Sequence, residues 1–250
     1  MPTLRSVPFQ ALLLLAITPT TFPQTPASPN PALPSADQIV SRMQQHEAHQ
    51  AQELKHYQAV RHYQVRYKGL VTLSGAMDVE ITYDEASGKS FRILSQSGSK
   101  LLCDKVLKRA VESEEEASRD RQSTALTPAN YRFRVIGTEQ LNGRPSYILH
   151  VQPLRDGKFL YRGNVWVDAA QYAVEKIEVE PAKNPSFWIT STQIENTNAE
   201  TDGIWLPQTN RSASKIRLGG TAVLTIDYGA YHIALTGQPQ PQTSEAASSQ

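Results

Sequence analysis

The sequence predicts a mainly β protein built on one large curved antiparallel sheet of about ten strands, closed or half-closed. From Ala59 onward, apolar residues recur at every second position in short runs, which is the pattern of half-buried strands. Pairs of turn-forming residues separate these runs, and only two segments have the apolar spacing of a helix. Strands that follow one another with so few helices indicate an up-and-down arrangement and not a parallel α/β core.

The first predicted helix begins after Ser35. Ser35 and Gln38 have the spacing of a capping box, and no Gly or Pro follows before Tyr57. His46 and Gln50 interrupt the apolar stripe of this segment, so we expect the helix to lie across a surface without entering the core. The stripe consists of Ile39, Met43, Leu54 and Tyr57.

Two long strands follow, each with one apolar and one polar face. The alternation is that of strands buried on one side only. The apolar positions are Ala59, Tyr63, Val65 and Tyr67 in the first strand and Met77, Val79, Ile81 and Tyr83 in the second. A third strand is predicted near Phe91.

A second helix is predicted from about Lys100 to Ser118, because Leu102, Val106 and Leu107 fall on one broad face. That face must cover something apolar, so the helix is expected to act as a lid over the sheet. The acidic run E-S-E-E-E from Glu112 is interpreted as the solvated side of this helix, with a binding tail as the alternative.

Strands resume after Asn130 and continue to the end of the domain without another helix. Gly-containing turn pairs join several of them and supply the positive φ values of tight hairpins. The predicted strands cover residues 131–140, 144–151, 158–167, 172–180, 187–196, 204–217 and 221–233, and the turn pairs are Asn142-Gly143, Asp156-Gly157, Asp202-Gly203 and Gly219-Gly220.

Both ends of the chain are predicted to lie outside this domain, which covers residues 35–235. In residues 1–27, Arg5 precedes an apolar run that is too short to span a bilayer, as in a secretory signal peptide. Residues 28–34 are predicted to form a Pro-rich linker, and residues 236–250 a disordered polar tail. The sequence therefore predicts an exported protein.

The composition gives no reason to expect a nucleic-acid partner. The chain has 250 residues, of which 39% are hydrophobic and 20% charged, and its net charge is +1. Its one cysteine, Cys103, lies far from the N-terminus, so neither an internal disulfide nor an N-terminal lipid anchor is expected. We expect a soluble monomer.

Asp168, in the stretch N-V-W-V-D-A-A-Q, is the most conspicuous candidate for a catalytic carboxylate. It stands where a predicted strand gives way to a loop, and an aspartate at the first position of a turn bonds the backbone amide two residues on. We therefore interpret Asp168 as a turn former and not as a catalytic residue.

No other pattern predicts a reactive centre. Cys103 lies on the predicted buried face of the second helix, where thiols are usually inert, and the common nucleophile and phosphate-loop motifs are absent. Four residues of the first helix have a spacing that could chelate a metal ion, although a solvated polar face is the preferred interpretation. They are His46, His49, Glu53 and His56. We expect no catalytic residue, no metal site and no cofactor.

The remaining hypothesis is a binding protein whose sheet encloses an apolar cavity under the helices. A shift of one residue in register would invert the face of every strand, so the alternative set of residues remains open. The predicted cavity residues are Tyr63, Val65, Met77, Val79, Ile81, Phe133, Val135, Phe159, Tyr161, Val165 and Val167, and the predicted lid residues are Leu102, Val106 and Leu107.

Several segments between residues 35 and 233 resemble the lipoprotein localization factor (LolA/LolB-like) family, which includes outer-membrane lipoprotein-sorting proteins. They are A-D-Q-I-V-S-R-M in the first helix, F-L-Y-R-G-N-V-W-V-D-A-A-Q-Y-A-V-E-K-I-E, N-P-S-F-W-I-T, W-L-P-Q and G-G-T-A-V-L-T-I-D-Y. The resemblance implies an unclosed β-barrel of about eleven strands with a helical lid.

The resemblance also implies a function. Members of this family carry the acyl chains of lipoproteins through the periplasm, from an inner-membrane donor to an outer-membrane acceptor. An arginine that holds the lid closed is part of the family pattern, and Arg61, Arg66 and Arg92 are the candidates on the early strands.

Three functions follow as hypotheses: a periplasmic carrier of lipid or lipoprotein acyl chains, a sensor or regulatory domain similar to those that act on envelope-stress anti-sigma factors, and an enzyme on a barrel. The third requires a polar cluster inside the cavity. A shared fold does not decide between them.

Overall fold

The computed structural model describes residues 33–157, 159–184 and 186–236. The predicted signal peptide, most of the predicted linker and all but the first residue of the predicted tail lie outside these ranges, and their assignments stay predictions. The architecture concerns the unit that begins at Pro34. Within the described ranges, no helix is long and apolar enough to cross a membrane.

The described residues form one antiparallel sheet of eleven strands. The strand order is β3-β2-β1-β10-β9-β8-β7-β6-β5-β4, and β11 pairs with β1 beside β10. The strands are β1 (Leu54–Lys68), β2 (Thr72–Asp84), β3 (Gly88–Gly98), β4 (Tyr131–Leu141), β5 (Arg144–Pro153), β6 (Tyr161–Asp168), β7 (Val174–Pro181), β8 (Ile189–Thr201), β9 (Ile204–Ile216), β10 (Thr221–Tyr228) and β11 (His232–Leu235). Because β3 and β4 stand at opposite edges, the predicted mainly β fold with an unclosed antiparallel sheet is confirmed.

Three of the four predicted turn pairs form tight hairpins. Asn142 and Asp202 have φ values of 49° and 51°, and the glycines that follow them also have positive φ. Gly219 and Gly220 have φ values of 103° and 89°. The prediction for Asp156-Gly157 is wrong, because the ladder of β5 ends at Pro153 and that of β6 begins only at Tyr161, which makes this pair part of a longer loop.

The last predicted strand, 221–233, is divided. β10 ends at Tyr228, and the amide of Gly229 then donates to the carbonyl of Val60 at 2.9 Å. The chain resumes as β11 against the first part of β1, where Leu54 is paired with Leu235.

The first helix, α1 (Ala36–Glu53), begins as predicted and ends earlier. The amide of Gln38 donates to Ser35 Oγ at 3.2 Å, and the amide of Ser35 donates to Gln38 Oε1 at 2.9 Å, which confirms the capping box. The prediction that the helix continues to Tyr57 is wrong. Residues from Leu54 onward pair with β11 and β2, and these ladder bonds outweigh the local preference for helix.

The expectation that α1 stays out of the core is also wrong. Ile39, Val40 and Met43 are each at most 1% exposed. The polar interruption by His46 and Gln50 affects only the second half of the helix, so the first half has an apolar face strong enough to enter the core.

The second helix is confirmed and runs without a break from Lys100 to Arg119. It consists of α2 (Lys100–Leu102), a π-helical segment (Cys103–Leu107) and α3 (Lys108–Arg119), which are together called the lid helix, and the short α4 (Arg121–Thr124) follows. Residues five apart align in a π turn, which brings Leu102 and Leu107 to the same buried side.

Both long helices cover the same face of the sheet. Directly opposed residues in paired strands point to the same side, so a continuous row of pairs identifies that face. The row is Tyr63, Ile226, Asn210, Asn196, Ile177, Val165, Leu149 and Val135. The lid helix packs on the Tyr63 side of this face and α1 on the Val165 side.

Candidate functional site

A buried ion pair joins the sheet to the lid helix. Arg61 lies on the helix-covered face of β1 and is 1% exposed. Its Nη1 donates to Glu114 Oε2 on α3 at 2.6 Å, and Lys89 Nζ of β3 donates to Glu114 Oε1 at 3.0 Å. One carboxylate of the lid helix is therefore held by two cations of the sheet.

Aromatic rings complete the surroundings of Arg61. Its guanidinium carbon lies 4.4 Å from the centre of the Tyr228 ring and 5.9 Å from that of Phe91. The π faces of these rings attract a cation, and they also exclude water from it. Arg61 is thus a buried cation whose charge is balanced by Glu114.

The interpretation of the acidic run from Glu112 as a solvated helix side is wrong for Glu114. Its side chain is only 27% exposed, because the run turns this one residue toward the sheet. Burial disfavours the ionised carboxyl, but the charges of Arg61 and Lys89 outweigh burial and hold the pKa of Glu114 below its usual value.

Two hydrogen-bond donors next to this pair are unused. Within the described residues, Arg61 Nε and Tyr63 Oη are buried and have no hydrogen-bond partner. Burial raises the pKa of Tyr63, which keeps its hydroxyl protonated, and an arginine offers no acceptor for that proton. The interior under the lid helix therefore has unused capacity to bind an acceptor atom.

A groove of ≈ 420 Å³ runs between α1 and the lid helix. Leu54, Tyr57 and Leu206 form its apolar floor, and Glu114 stands in its wall on the side of the lid helix. Tyr57 stacks on Tyr83 with 5.3 Å between ring centres. The carboxylate that binds Arg61 is thus accessible from a groove of the size of small-molecule sites, about 300–1,000 Å³.

All the predicted cavity residues except Phe159 lie on the helix-covered face. Phe159 lies in the loop before β6 and not in a strand, because pairing with β5 reaches β6 only from Gly163 onward. Except for Ile81, which packs among strand residues, the others belong to the two clusters that include residues of α1 or the lid helix. Leu102 and Leu107 of the predicted lid set are buried against the sheet, and Val106 is partly buried. Their role in ligand binding stays a prediction.

The structure distinguishes the three candidate arginines of the lid. Arg66 is exposed on the other face of β1, and Arg92 pairs with Glu80 on the other face of β2 and β3. Only Arg61 contacts the lid helix. Sequence reasoning could not select it, since its partner Glu114 is distant along the chain and no local motif marks either residue.

Asp168 is a turn former, as predicted. Its Oδ1 accepts the amides of Ala170 and Gln171 at 2.9 and 2.7 Å, and its Oδ2 accepts Arg144 Nε at 2.8 Å. Burial alone would raise the pKa of Asp168, but these donors outweigh it and hold the pKa below its usual value. Both oxygens are engaged in holding the turn between β6 and β7.

The four possible metal ligands are not on one helix. His46, His49 and Glu53 belong to α1, whereas His56 lies in β1 because the helix ends at Glu53. The described ranges contain no group of three or more residues suited to a metal ion. Cys103 is buried as predicted, and its Sγ lies 3.3 Å from the carbonyl of Ser97.

Comparisons with known proteins give likenesses of low identity. No family model matches this chain, and no curated protein matches it significantly. Among solved structures, it is similar to a DUF1329 family protein from Desulfovibrio piger, with 15% identity over 82% of this chain and 95% of the other and a TM-score of 0.41. It is also similar to a putative outer membrane lipoprotein-sorting protein domain from Vibrio parahaemolyticus, with 14% identity, coverage of 82% and 95% and a TM-score of 0.40.

A third solved structure is a LolA superfamily protein from Nitrosomonas europaea, with 11% identity over 84% of this chain and 96% of the other and a TM-score of 0.33. The names of the second and third structures are those of the family that the sequence resembles. At these identities and TM-scores, no residue role follows from the likenesses.

Proposed function

We propose that this protein binds the acyl chain of a lipid or lipoprotein beneath the lid helix and carries it through the periplasm toward the outer membrane. The observation that supports this most is the lid helix itself. Its apolar side covers one half of the apolar sheet face, and the ion pair of Arg61 with Glu114 fastens it there. Release of one carboxylate would free the helix to move and expose that face.

The cost of acyl chains in water explains why such a face is needed. Each methylene exposed to water costs about 0.8 kcal/mol, so two or three long chains cost roughly 20 kcal/mol or more. Val65, Met77 and Val79 lie on the sheet under the lid helix, where the chain would replace Leu102 and Leu107 of that helix. Apolar contacts between the lid helix and the sheet would then be replaced by contacts between the acyl chain and the sheet.

The unpaired donors of Arg61 and Tyr63 could bind the polar end of the ligand. An acyl chain ends in a carboxylate, ester or amide, each of which has a carbonyl oxygen that accepts hydrogen bonds. Arg61 Nε and Tyr63 Oη are adjacent donors on one face of β1. Binding an oxygen there would remove the cost of leaving them unpaired.

A catalytic function is less well supported, although a polar cluster does lie inside. Glu114 is the only carboxylate found in that cluster among the described residues, and each of its oxygens already accepts from a cation. Its lowered pKa makes it a poor general base or acid near neutral pH. The cluster is better suited to holding the lid helix on the sheet than to catalysis.

Uptake of a fluorescent fatty acid by the purified protein tests the proposal. We expect saturable binding with an increase in fluorescence, and faster uptake by Glu114→Gln because the lid helix is released. Glu115→Gln is the matched control, since Glu115 pairs with the exposed Arg119 on the same helix. Its uptake should equal that of the unchanged protein.

A second pair of variants tests the face of the sheet. Val79→Thr replaces one methyl group of a buried side chain under the lid helix with a hydroxyl of similar size, so we expect weaker uptake. Val60→Thr makes the same change on the opposite face of β1 and should have no effect. Absence of uptake by the folded protein, or equal effects of the two variants, would overturn the carrier function and favour a regulatory binding domain.

A further inference from the structure

Three neighbouring loops at one end of the sheet expose large apolar side chains. Leu70 and Val71 lie between β1 and β2, Leu218 between β9 and β10, and Phe187 and Trp188 between β7 and β8. Leu70 is fully exposed, Leu218 is 78% exposed and Phe187 70%. These five residues are called the apolar tip. Exposed apolar groups of this kind, gathered in one place, mark interaction sites.

Hydrogen bonds hold the three loops together. Tyr67 Oη at the end of β1 donates to the carbonyl of Gly219 at 3.0 Å. The amide of Arg217 donates to the carbonyl of Trp188 at 2.8 Å, and Arg217 Nε donates to that of Phe187 at 3.0 Å. The middle loop is thus tied to both of its neighbours, and the apolar tip is one ordered surface.

The loops of the apolar tip and the strand ends next to them carry basic and no acidic residues, and Glu195, which is directly opposed to Arg211, lies just outside them. Residues 64–76, 182–193 and 211–225, which form the three loops and the adjoining strand ends, contain no Asp or Glu. They contain six exposed basic residues: Arg66, Lys68, Lys183, Arg211, Lys215 and Arg217. In the part of the chain that the structure describes, none of the six forms an ion pair with a carboxylate. This end of the sheet is therefore complementary to a negatively charged surface.

A groove of ≈ 570 Å³ lies beside the loops, on β1, β2, β3 and β10. Arg66 and Lys68 contribute charge to it, and Ser74, Ser97, Thr221 and Thr225 contribute hydroxyls. Cations and hydroxyl donors together suit a phosphate group. The groove and the apolar tip are next to each other, since Lys68 and Thr221 are a directly opposed pair at the ends of β1 and β10.

We propose that this end of the sheet docks on a bilayer that contains anionic phospholipids. Aromatic and aliphatic side chains of the apolar tip would enter the interface between headgroups and acyl chains, where Trp and Phe are favoured. The six basic residues would lie at the level of the phosphates, and each Lys or Arg near such a surface strengthens binding by about fivefold. The groove would receive one headgroup phosphate. This surface is distinct from the site under the lid helix and does not depend on the proposed cargo.

Trp188 provides an internal reporter. It is 53% exposed, whereas Trp166 and Trp205 are buried. Contact with a bilayer should therefore shift the Trp188 emission to shorter wavelength, and lipids with brominated chains should quench it. The other two tryptophans supply an unchanged background in the same spectrum.

The test is sedimentation and fluorescence of the full protein with vesicles of phosphatidylcholine, with and without phosphatidylglycerol. We expect binding that requires the anionic lipid and weakens at high salt. Leu70→Ser with Leu218→Ser should weaken it by about tenfold or more. The matched control is Leu94→Ser with Ile136→Ser, which changes two exposed apolar residues in the middle of β3 and β4, away from this end of the sheet, and should not alter binding.

A charge series completes the test. Lys68→Gln with Lys215→Gln should weaken binding to the anionic vesicles by about tenfold or more, and Arg92→Gln with Arg119→Gln, which changes two exposed arginines away from this end of the sheet, should not. Binding that ignores phosphatidylglycerol, or that survives both the leucine and the lysine changes, would overturn the proposal. Failure to bind vesicles, together with capture of a protein partner that the leucine changes abolish, would also overturn it and assign the apolar tip to a protein interface.

Discussion

Arg61 of β1 and Glu114 of the lid helix meet at 2.6 Å inside the protein, and their burial is unequal. Arg61 is 1% exposed, whereas the side chain of Glu114 is 27% exposed and also contacts Lys89. An arginine cannot become neutral in a protein, so Arg61 needs its partner more than Glu114 does. Breaking the pair should therefore destabilise the protein mainly because Arg61 is left buried without a counter-ion.

Glu114→Gln should destabilise the protein by about 3 kcal/mol, since it leaves a buried charge without its counter-ion. Arg61→Leu should cost less, because Glu114 keeps Lys89 and some contact with water. Urea unfolding gives both values. The exposed pair on the same helix, tested by Glu115→Gln, should contribute at most about 0.5 kcal/mol. A larger loss with Arg61→Leu than with Glu114→Gln would contradict this account.

Stability should fall in acid through Glu114 and Asp168. The folded protein holds the pKa of both carboxyls below their usual values. Such groups contribute stability fully above their unfolded pKa values, about 4, and the contribution is lost as the pH falls through the folded values. The unfolding free energy should therefore decrease below about pH 4, and Glu114→Gln should reduce that decrease. If the unfolding free energy of Glu114→Gln decreased below about pH 4 as steeply as that of the unchanged protein, this explanation would be wrong.

Tyr63→Phe separates the stability of the closed protein from ligand binding. The hydroxyl of Tyr63 is buried without a partner, so its removal should leave stability unchanged or raise it by about 1 kcal/mol. Affinity for a fatty acid should nevertheless fall about fivefold or more, because a donor for the carboxyl group is lost. Tyr131→Phe is the control with the opposite expectation for stability, since Tyr131 Oη accepts the amide of Tyr161. Equal stability changes in the two variants would argue against a free donor at Tyr63.

The features that sequence alone predicts are those that depend on near neighbours. The alternating faces of β1 and β2 follow from a period of two, and they place Tyr63 and Val79 on the covered face as expected. The capping box at Ser35 depends on residues three positions apart. The hairpin at Asn142 depends on the glycine beside it. In each case, the determining contact lies within the segment.

The features that sequence misses depend on partners far along the chain. Leu54 leaves the helix because it pairs with Leu235 of β11. Glu114 turns inward because Arg61 lies beneath it, and the four acidic residues of its run look alike in sequence. The apolar tip is assembled from three loops that only the strand order brings together. No local pattern contains this information.

Asp168 is expected to matter for folding and not for uptake. Asp168→Ala removes the acceptor of two turn amides and the partner of Arg144, and should cost about 3 kcal/mol in urea unfolding. Asp168→Asn should cost less, since an amide oxygen can still accept both turn amides. Asp202→Asn is the matched control at another hairpin, where asparagine tolerates the positive φ of 51° and the change should be small. Fatty-acid uptake, measured under conditions where each variant is folded, should be unchanged in all three. A loss of uptake in Asp168→Asn alone would show that this carboxylate has a functional role.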